Sequence, residues 1–220
     1  MAEVTGSEIV AQALKREGVT ELFYLMGGPM MLAEASCLAE GIRVIDVRHE
    51  QAAALMAQAY SRLRQRPGVC LAASGPGVIN LATGMANALI DCAPVVALGG
   101  SSPVGRYGCQ VFQEIDQVAI FKPVTKWAER AIDAKRIPEV VSTAFRAVTT
   151  GRPGPAYIDL PSDILSDPVD EDEVVYPTGT RTAARPGGDP AQIKEAAELL
   201  AKAKKPIIIA GTGPFWSQSG

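Results

Sequence analysis

Short apolar runs separated by longer amphipathic stretches set the rhythm of this chain. LFYLM (22–26), IRVIDV (42–47), VCLAA (69–73), VVALGG (95–100) and PAYIDLP (155–161) each read as a strand, and TKWAERA (125–131) reads as extended. Helical patterns lie between them. One is started by Thr5 and Glu8 at capping-box spacing and stopped by Gly18, and a second covers 30–40 and is closed by Gly41. Others start at Glu50, at the SGPG turn (74–77), and near residue 136. This alternation predicts an α/β fold, a doubly wound and mainly parallel sheet with helices on both faces. Ligands of such sheets lie outside the carboxyl ends of the strands. GGP, RHE, SGPG and GGSS stand at those ends, after the first four strands in turn.

The pattern changes after residue 165. Residues 166–188 are first acidic and proline-flanked (DPVDEDEVVYP), then rich in turn formers (TGTRTAARPGG), and read as a linker. DPAQIKEAAELLAKAKK then reads as a capped amphipathic helix, and PIIIAGTGP as a strand running into a glycine turn. The expected organisation is a domain over 1–165, a linker over 166–188, and the start of a second α/β domain over 189–220. One helix and one strand cannot bury a core. A fragment of a longer chain is therefore expected, with half of a split enzyme as the alternative.

Composition narrows the class. With 47% hydrophobic and 20% charged residues the chain can bury a sizeable core. A net charge of -3 argues against nucleic acid or an anionic membrane as the main partner. No apolar run approaches the roughly 18 residues of a membrane span, and no basic-then-apolar leader opens the chain, so a cytoplasmic location is expected. Cys37, Cys70, Cys92 and Cys109 form no C-x-x-C pair, and His49 is the only histidine. No metal site is expected in this chain, and reduced thiols in or near the core are the plain reading.

Two stretches carry candidate chemistry. In VIDVRHEQAAALMAQAYSR a strand ends on Arg48, His49 and Glu50 and opens at once into a helix of small residues, Ala52, Ala53, Ala54, Ala57 and Ala59. A carboxylate at a helix N-terminus can be a solvated residue favoured by the helix dipole. The small residues offer a second reading: another backbone or a flat ligand can come close, leaving Glu50 partly desolvated and suited to share a proton with a ring nitrogen. His49 adjoins Glu50, but a solvated or structural histidine is its simpler reading. In SGPGVIN, Gly75 and Gly77 permit a tight strand-to-helix turn with exposed N–H groups, with Asn80 one turn into the helix. It matches neither G-x-G-x-x-G nor a P-loop, and by itself a plain βα turn explains it.

In order, LFYLMGGP, VIDVRHEQAAALMAQAYSR, SGPGVINLATGMANALIDCAPVVALGG, FQEIDQ and RPGPAYIDLPSDI resemble the pyrimidine-binding domain of thiamine-diphosphate enzymes. The group is that of acetolactate synthase, benzaldehyde lyase, oxalyl-CoA decarboxylase and 2-hydroxyacyl-CoA lyase. The resemblance covers residues 4–165, and the tail resembles the start of that family's middle domain. It implies that Glu50 bonds the N1′ nitrogen of the cofactor's aminopyrimidine, favouring the tautomer whose 4′-nitrogen takes the thiazolium C2 proton. It further implies that Gly75, Pro76 and Asn80 surround the pyrimidine. Gln113 would be a neutral donor to the reacting carbonyl, Phe112 a wall, and Gly27, Gly28 and Pro29 part of the same mouth. Pro29 cannot serve as the acid–base histidine that some relatives carry near this loop.

A further implication is Mg2+ bound by a C-terminal domain; its GDG motif does not occur here. The diphosphate-binding domain of a second subunit or chain would complete the site in a homo-oligomer. The substrate would be a small carbonyl compound or an acyl-CoA. FYLMGGPM and FQEIDQVAIFKPVTKWA read closer to the CoA-lyase side of the group. The rival of another class is a non-catalytic module kept for association; a flavodoxin-like nucleotide binder is a third reading.

Overall fold

The computed structural model describes residues 2–179 and 187–218, which fall into two units, 1–178 and 179–220. In the first unit β1 (Glu3–Thr5) leads into α1 (Gly6–Arg16), followed by β2 (Glu21–Leu25), α2 (Met31–Ala39), β3 (Arg43–Asp46) and α3 (Glu50–Arg64). Then come β4 (Gly68–Ala72), α4 (Pro76–Ile90), β5 (Val95–Ser101), α5 (Gln117–Phe121) and β6 (Trp127–Arg130). The unit finishes with α6 (Ile137–Thr149), β7 (Ala156–Pro161), α7 (Ser162–Ser166) and β8 (Pro168–Asp170). Thr5 and Glu8 form the capping box their spacing predicts.

Six strands make one sheet in the order β3-β2-β4-β5-β7-β6, with every neighbouring pair parallel. This is the α/β architecture expected from the pattern. Alternate residues serve the two faces. Leu22 and Tyr24, Val69 and Leu71, Val96 and Leu98, and Ile158 and Leu160 join one core with α1, α2 and α6. Phe23, Cys70, Ala97 and Tyr157 are buried on the other face. There Phe23 meets Tyr60 of α3 edge-on, and Phe121 of α5 stacks on Tyr157 at 4.2 Å.

The chain leaves β2 for the edge strand β3 and returns to β4 on the far side of β2. The carboxyl ends of β2 and β4 therefore flank a topological switch point, where the loops part and leave a crevice. GGP follows β2, and SGPG follows β4.

Part of the stretch read as a linker is docked on this unit. β8 pairs antiparallel with β1, Glu3 opposite Asp170, and Glu171 N–H donates to the Ala2 carbonyl. The Tyr176 hydroxyl donates to Gln12, with the Arg16 guanidinium 4.1 Å from its ring centre. The turn-rich part of that stretch, residues 180–186, lies outside the described residues.

In the second unit the expected helix is present as α8 (Pro190–Lys202), capped by the Asp189 side chain, and α9 spans Thr212–Ser217. The strand expected at PIIIAGTGP is not formed, and Ile207, Ile208 and Ile209 are exposed. A strand needs a neighbour for its N–H and C=O groups. No strand that could pair with it exists among the unit's described residues. No helix among the described residues is long and apolar enough to cross a membrane.

Candidate active site

The stretch after β3 sorts its three polar residues to three tasks. Arg48 pairs with Asp46 at 2.5 Å in solvent. His49 is the N-cap of α3, its Nδ1 accepting from Gln51 N–H at 3.2 Å. Glu50, the first residue of α3 and half-buried, turns toward α4, where Asn80 Nδ2 donates to Glu50 Oε2 at 2.9 Å. Glu50 Oε1 has no hydrogen-bond partner among the described residues, and a Cβ placed on Gly77 would come within 3.0 Å of it.

Two close approaches bring Glu50 and Asn80 together. A Cβ on Gly84 of α4 would lie 2.5 Å from Ala54 Cβ of α3, so the helices cross with nothing between them. A Cβ on Gly68 would strike the Ala57 carbonyl, which seats α3 on β4. Gln58 of α3 adds polar links, accepting from Asn87 Nδ2 and donating to Asp91, both at 2.7 Å. The buried small residues of α3 thus serve packing inside the chain.

Gly75 is the N-cap of α4 at φ 61, ψ -118, a conformation open to glycine and costly for residues with a side chain. Space forbids a side chain as well, since a Cβ would sit 2.7 Å from the Gln113 carbonyl oxygen. Pro76, exposed, takes the first helical position, where its missing N–H costs no helical bond. Ser74 Oγ donates to Gln113 Oε1 at 2.8 Å, and Gln113 Nε2 has no partner among the described residues. The loop carrying Gln113 is closed by Glu114, which accepts from Gly108 and Val111 N–H.

Behind this turn lies a buried polar network. Gln117 Oε1 accepts the Gly75 N–H at 2.7 Å, while its two Nε2 hydrogens are shared among Asp159 Oδ1, the Tyr157 hydroxyl and the Gly100 carbonyl, at 2.6, 2.9 and 3.0 Å. Tyr157 also donates to Asp159 Oδ1, and Arg130 Nε donates to Asp159 Oδ2 at 2.5 Å. Burial and the Asp159 carboxylate raise the Tyr157 pKa well above its ordinary value, so its hydroxyl stays neutral. Burial disfavours the Arg130 charge, but the bond and attraction to Asp159 outweigh it, and the Arg130 pKa is raised.

The expected mouth is only partly assembled within the chain. Gly27 lies against the end of β4, where a Cβ would meet Ala73 Cβ at 2.5 Å, and Pro29 lies against Gly100 at the end of β5. Gly28 touches nothing within 4 Å of its Cβ direction, and Phe112 is 87% exposed. The sequence reading passed over Ser74, Gln117 and Asp159. A charged residue inside the apolar run AYIDLP was the available signal for the last, and the second glutamine of FQEIDQ for Gln117.

Residues 4–120 match the family described as "Thiamine pyrophosphate enzyme, N-terminal TPP binding domain". The chain belongs to this family. Among curated relatives it is 41% identical, over 94% of its length, to a "Probable acetolactate synthase large subunit" of Methanocaldococcus jannaschii, of which it covers 36%. It is 35% identical over 99% of its length to "2-hydroxyacyl-CoA lyase 1" of Homo sapiens, covering 38% of that protein. It is likewise 35% identical over 94% of its length to "Acetolactate synthase, chloroplastic" of Arabidopsis thaliana, covering 32%. The chain spans about a third of the length of these relatives.

The residues present fit the aminopyrimidine end of thiamine diphosphate. A ring nitrogen that shares a proton needs a carboxyl oxygen not already engaged, and Glu50 Oε1, resting on the bare Gly77 backbone, offers one.

Proposed function

We propose that this chain is the pyrimidine-binding part of a thiamine-diphosphate-dependent enzyme that makes or breaks a C–C bond next to a carbonyl. The observation that supports this reading most is the Glu50 carboxylate. It is anchored through one oxygen by Asn80, with the other oxygen free above Gly77, at the carboxyl ends of the strands. When bound, thiamine diphosphate would supply a carbon nucleophile and an electron sink. Glu50 would hold a proton at N1′, and Asn80 would keep the carboxylate aimed. Gly75, Pro76 and Asn80 would line the ring, and Gln113 Nε2 would donate to the substrate's carbonyl oxygen. Gly27, Gly28, Pro29 and Phe112 would border the entrance.

Mg2+ would be carried with the diphosphate by a separate domain, from a second subunit or chain in a homo-oligomer. Leu55 and Met56, exposed on α3 beside the site, support such a covering partner. A 1–165 pyrimidine domain, a 166–188 linker whose first part lies docked on that domain, and the start of a middle domain over 189–220 belong to the proposal, with a cytoplasmic location. Acetolactate-synthase-like and 2-hydroxyacyl-CoA-lyase-like reactions both remain within it. Identities of 41% and 35% do not favour the CoA side that the motifs suggested.

The test is Glu50→Gln in the complete protein, assayed with 2-keto acids and with 2-hydroxyacyl-CoA thioesters. The amide can still accept from Asn80, so the fold should persist. Because it cannot hold the N1′ proton, turnover should fall by about 10²-fold or more. A variant that turns over like the wild type removes Glu50 from the mechanism.

A further inference from the structure

Gln117 is buried, forms no hydrogen bond to Glu50 or Asn80, and instead joins Gly75, Gly100, Tyr157 and Asp159. Its amide cannot be turned over. The Nε2 side faces the Asp159 carboxylate and the Gly100 carbonyl, both acceptors, so the oxygen has to face Gly75 N–H. Asp159 is held in its turn by Arg130 and Tyr157. Arg130 is the last residue of the edge strand β6, and its guanidinium lies 4.1 Å from the centre of the Tyr107 ring.

The acceptor at Gly75 has consequences because the peptide between Ser74 and Gly75 is planar. Fixing its N–H fixes the plane, and with it the direction of the Ser74 carbonyl and the start of α4. The Ser74 hydroxyl holds Gln113 Oε1, and the Gly75 α-carbon packs on the Gln113 backbone. One buried amide thus sets the turn from which Gly77, Asn80 and, through Ser74, Gln113 take their places.

We propose that Gln117 is a positioning residue for the pyrimidine pocket, held by the buried Asp159–Arg130 pair and locking the Gly75 turn against Gln113. The proposal rests on the functional reading above, and its test separates the two. In the complete protein, Gln117→Met keeps the volume and removes every one of these hydrogen bonds. Thiamine diphosphate in the presence of Mg2+ should then bind about tenfold more weakly by titration calorimetry. Amide hydrogen exchange over residues 73–80 should accelerate without cofactor present, while the circular-dichroism spectrum is kept. A merely structural core bond would lower the melting temperature and leave the affinity alone.

Gln117→Glu supplies the pH signature. As a carboxylate the new side chain faces Asp159 and repels it. Protonated, it again donates toward Asp159 and accepts from Gly75. Its affinity relative to the wild type should therefore recover as pH is lowered from about 8.5 to 6, since like charge and burial raise the introduced carboxyl's pKa.

Gln117→Met binding within about twofold of the wild type overturns the proposal. So does a Gln117→Glu ratio that is flat with pH, which also decides the matter if the methionine variant does not fold. If the wild type binds no thiamine diphosphate, the functional reading fails and exchange over 73–80 decides alone. Acceleration in either variant then supports the positioning role, and unchanged exchange overturns it.

Discussion

A methyl group on Gly77 would sit 3.0 Å from Glu50 Oε1, closer than a carbon and a carboxylate oxygen rest comfortably, and 3.6 Å from Ala73 Cβ. Alanine is the better helix former by roughly 1 kcal/mol. Gly77→Ala should therefore leave the melting temperature unchanged or slightly raised while weakening thiamine diphosphate by about tenfold. Calorimetric titration beside a melting curve checks this; equal affinity would mean that the contact of Glu50 Oε1 with Gly77 does not set the carboxylate's place in the pocket. At this scale the sequence told much about residue types and little about partners. Glu50 and the glycines of SGPG stood out because a carboxylate and a bare turn end two apolar runs. The task of His49 did not, because an N-cap through a ring nitrogen has no spacing signature. Gln117 stayed hidden because its partners lie 42 residues before it at Gly75 and 42 after it at Asp159, and no local pattern joins such distances.

Among the elements, the crossing of α3 and α4 carries the site, since Glu50 opens one helix and Asn80 lies in the first turns of the other. Gly84 and Ala54 let the helices close to contact, so Gly84→Leu has to push them apart. Overpacking of this kind costs about 1–3 kcal/mol. The expected result is a lower urea midpoint together with weaker cofactor binding, because the 2.9 Å bond between Asn80 and Glu50 spans the same gap. A lower midpoint with unchanged binding would uncouple the crossing from the site. The parallel strands and long helices were legible because each buries a face with a clear period. The pairing of β1 with β8 was not, because three-residue strands have no period to read and their partners lie at opposite ends of the unit. PIIIA misled in the other direction, its β-branched run marking a strand whose ladder needs a neighbour that the unit's described residues do not supply.

For the molecule as a whole, the buried thiols and phenol set an alkaline limit to stability. Burial pushes the Cys70 thiol up to about 12. Burial, aided by the charges of Glu34 and Glu40, pushes Cys37 up to about 12 as well. Tyr157, raised by burial and by Asp159, works in the same direction. A group whose pKa is higher folded than unfolded stabilises the fold fully below its unfolded value, and that stability is lost as pH rises through the folded one. For the thiols the window runs from the ordinary value of 9.0 to about 12. Under reducing conditions the urea midpoint should hold to about pH 8.5 and fall steadily above pH 9. Replacing both thiols, Cys37→Ala with Cys70→Ala, should lower the midpoint at pH 8 through lost packing yet flatten the alkaline slope. The same burial predicts that iodoacetamide labels the exposed Cys109 of the native protein and spares Cys37 and Cys70, because a neutral thiol without solvent access is a poor nucleophile. Labelling of Cys37 or Cys70 at the rate of Cys109, with a slope unchanged in the double variant, would show that the core opens to solvent around α2 or β4. The unit that holds Glu50 would then be far looser than its packing implies.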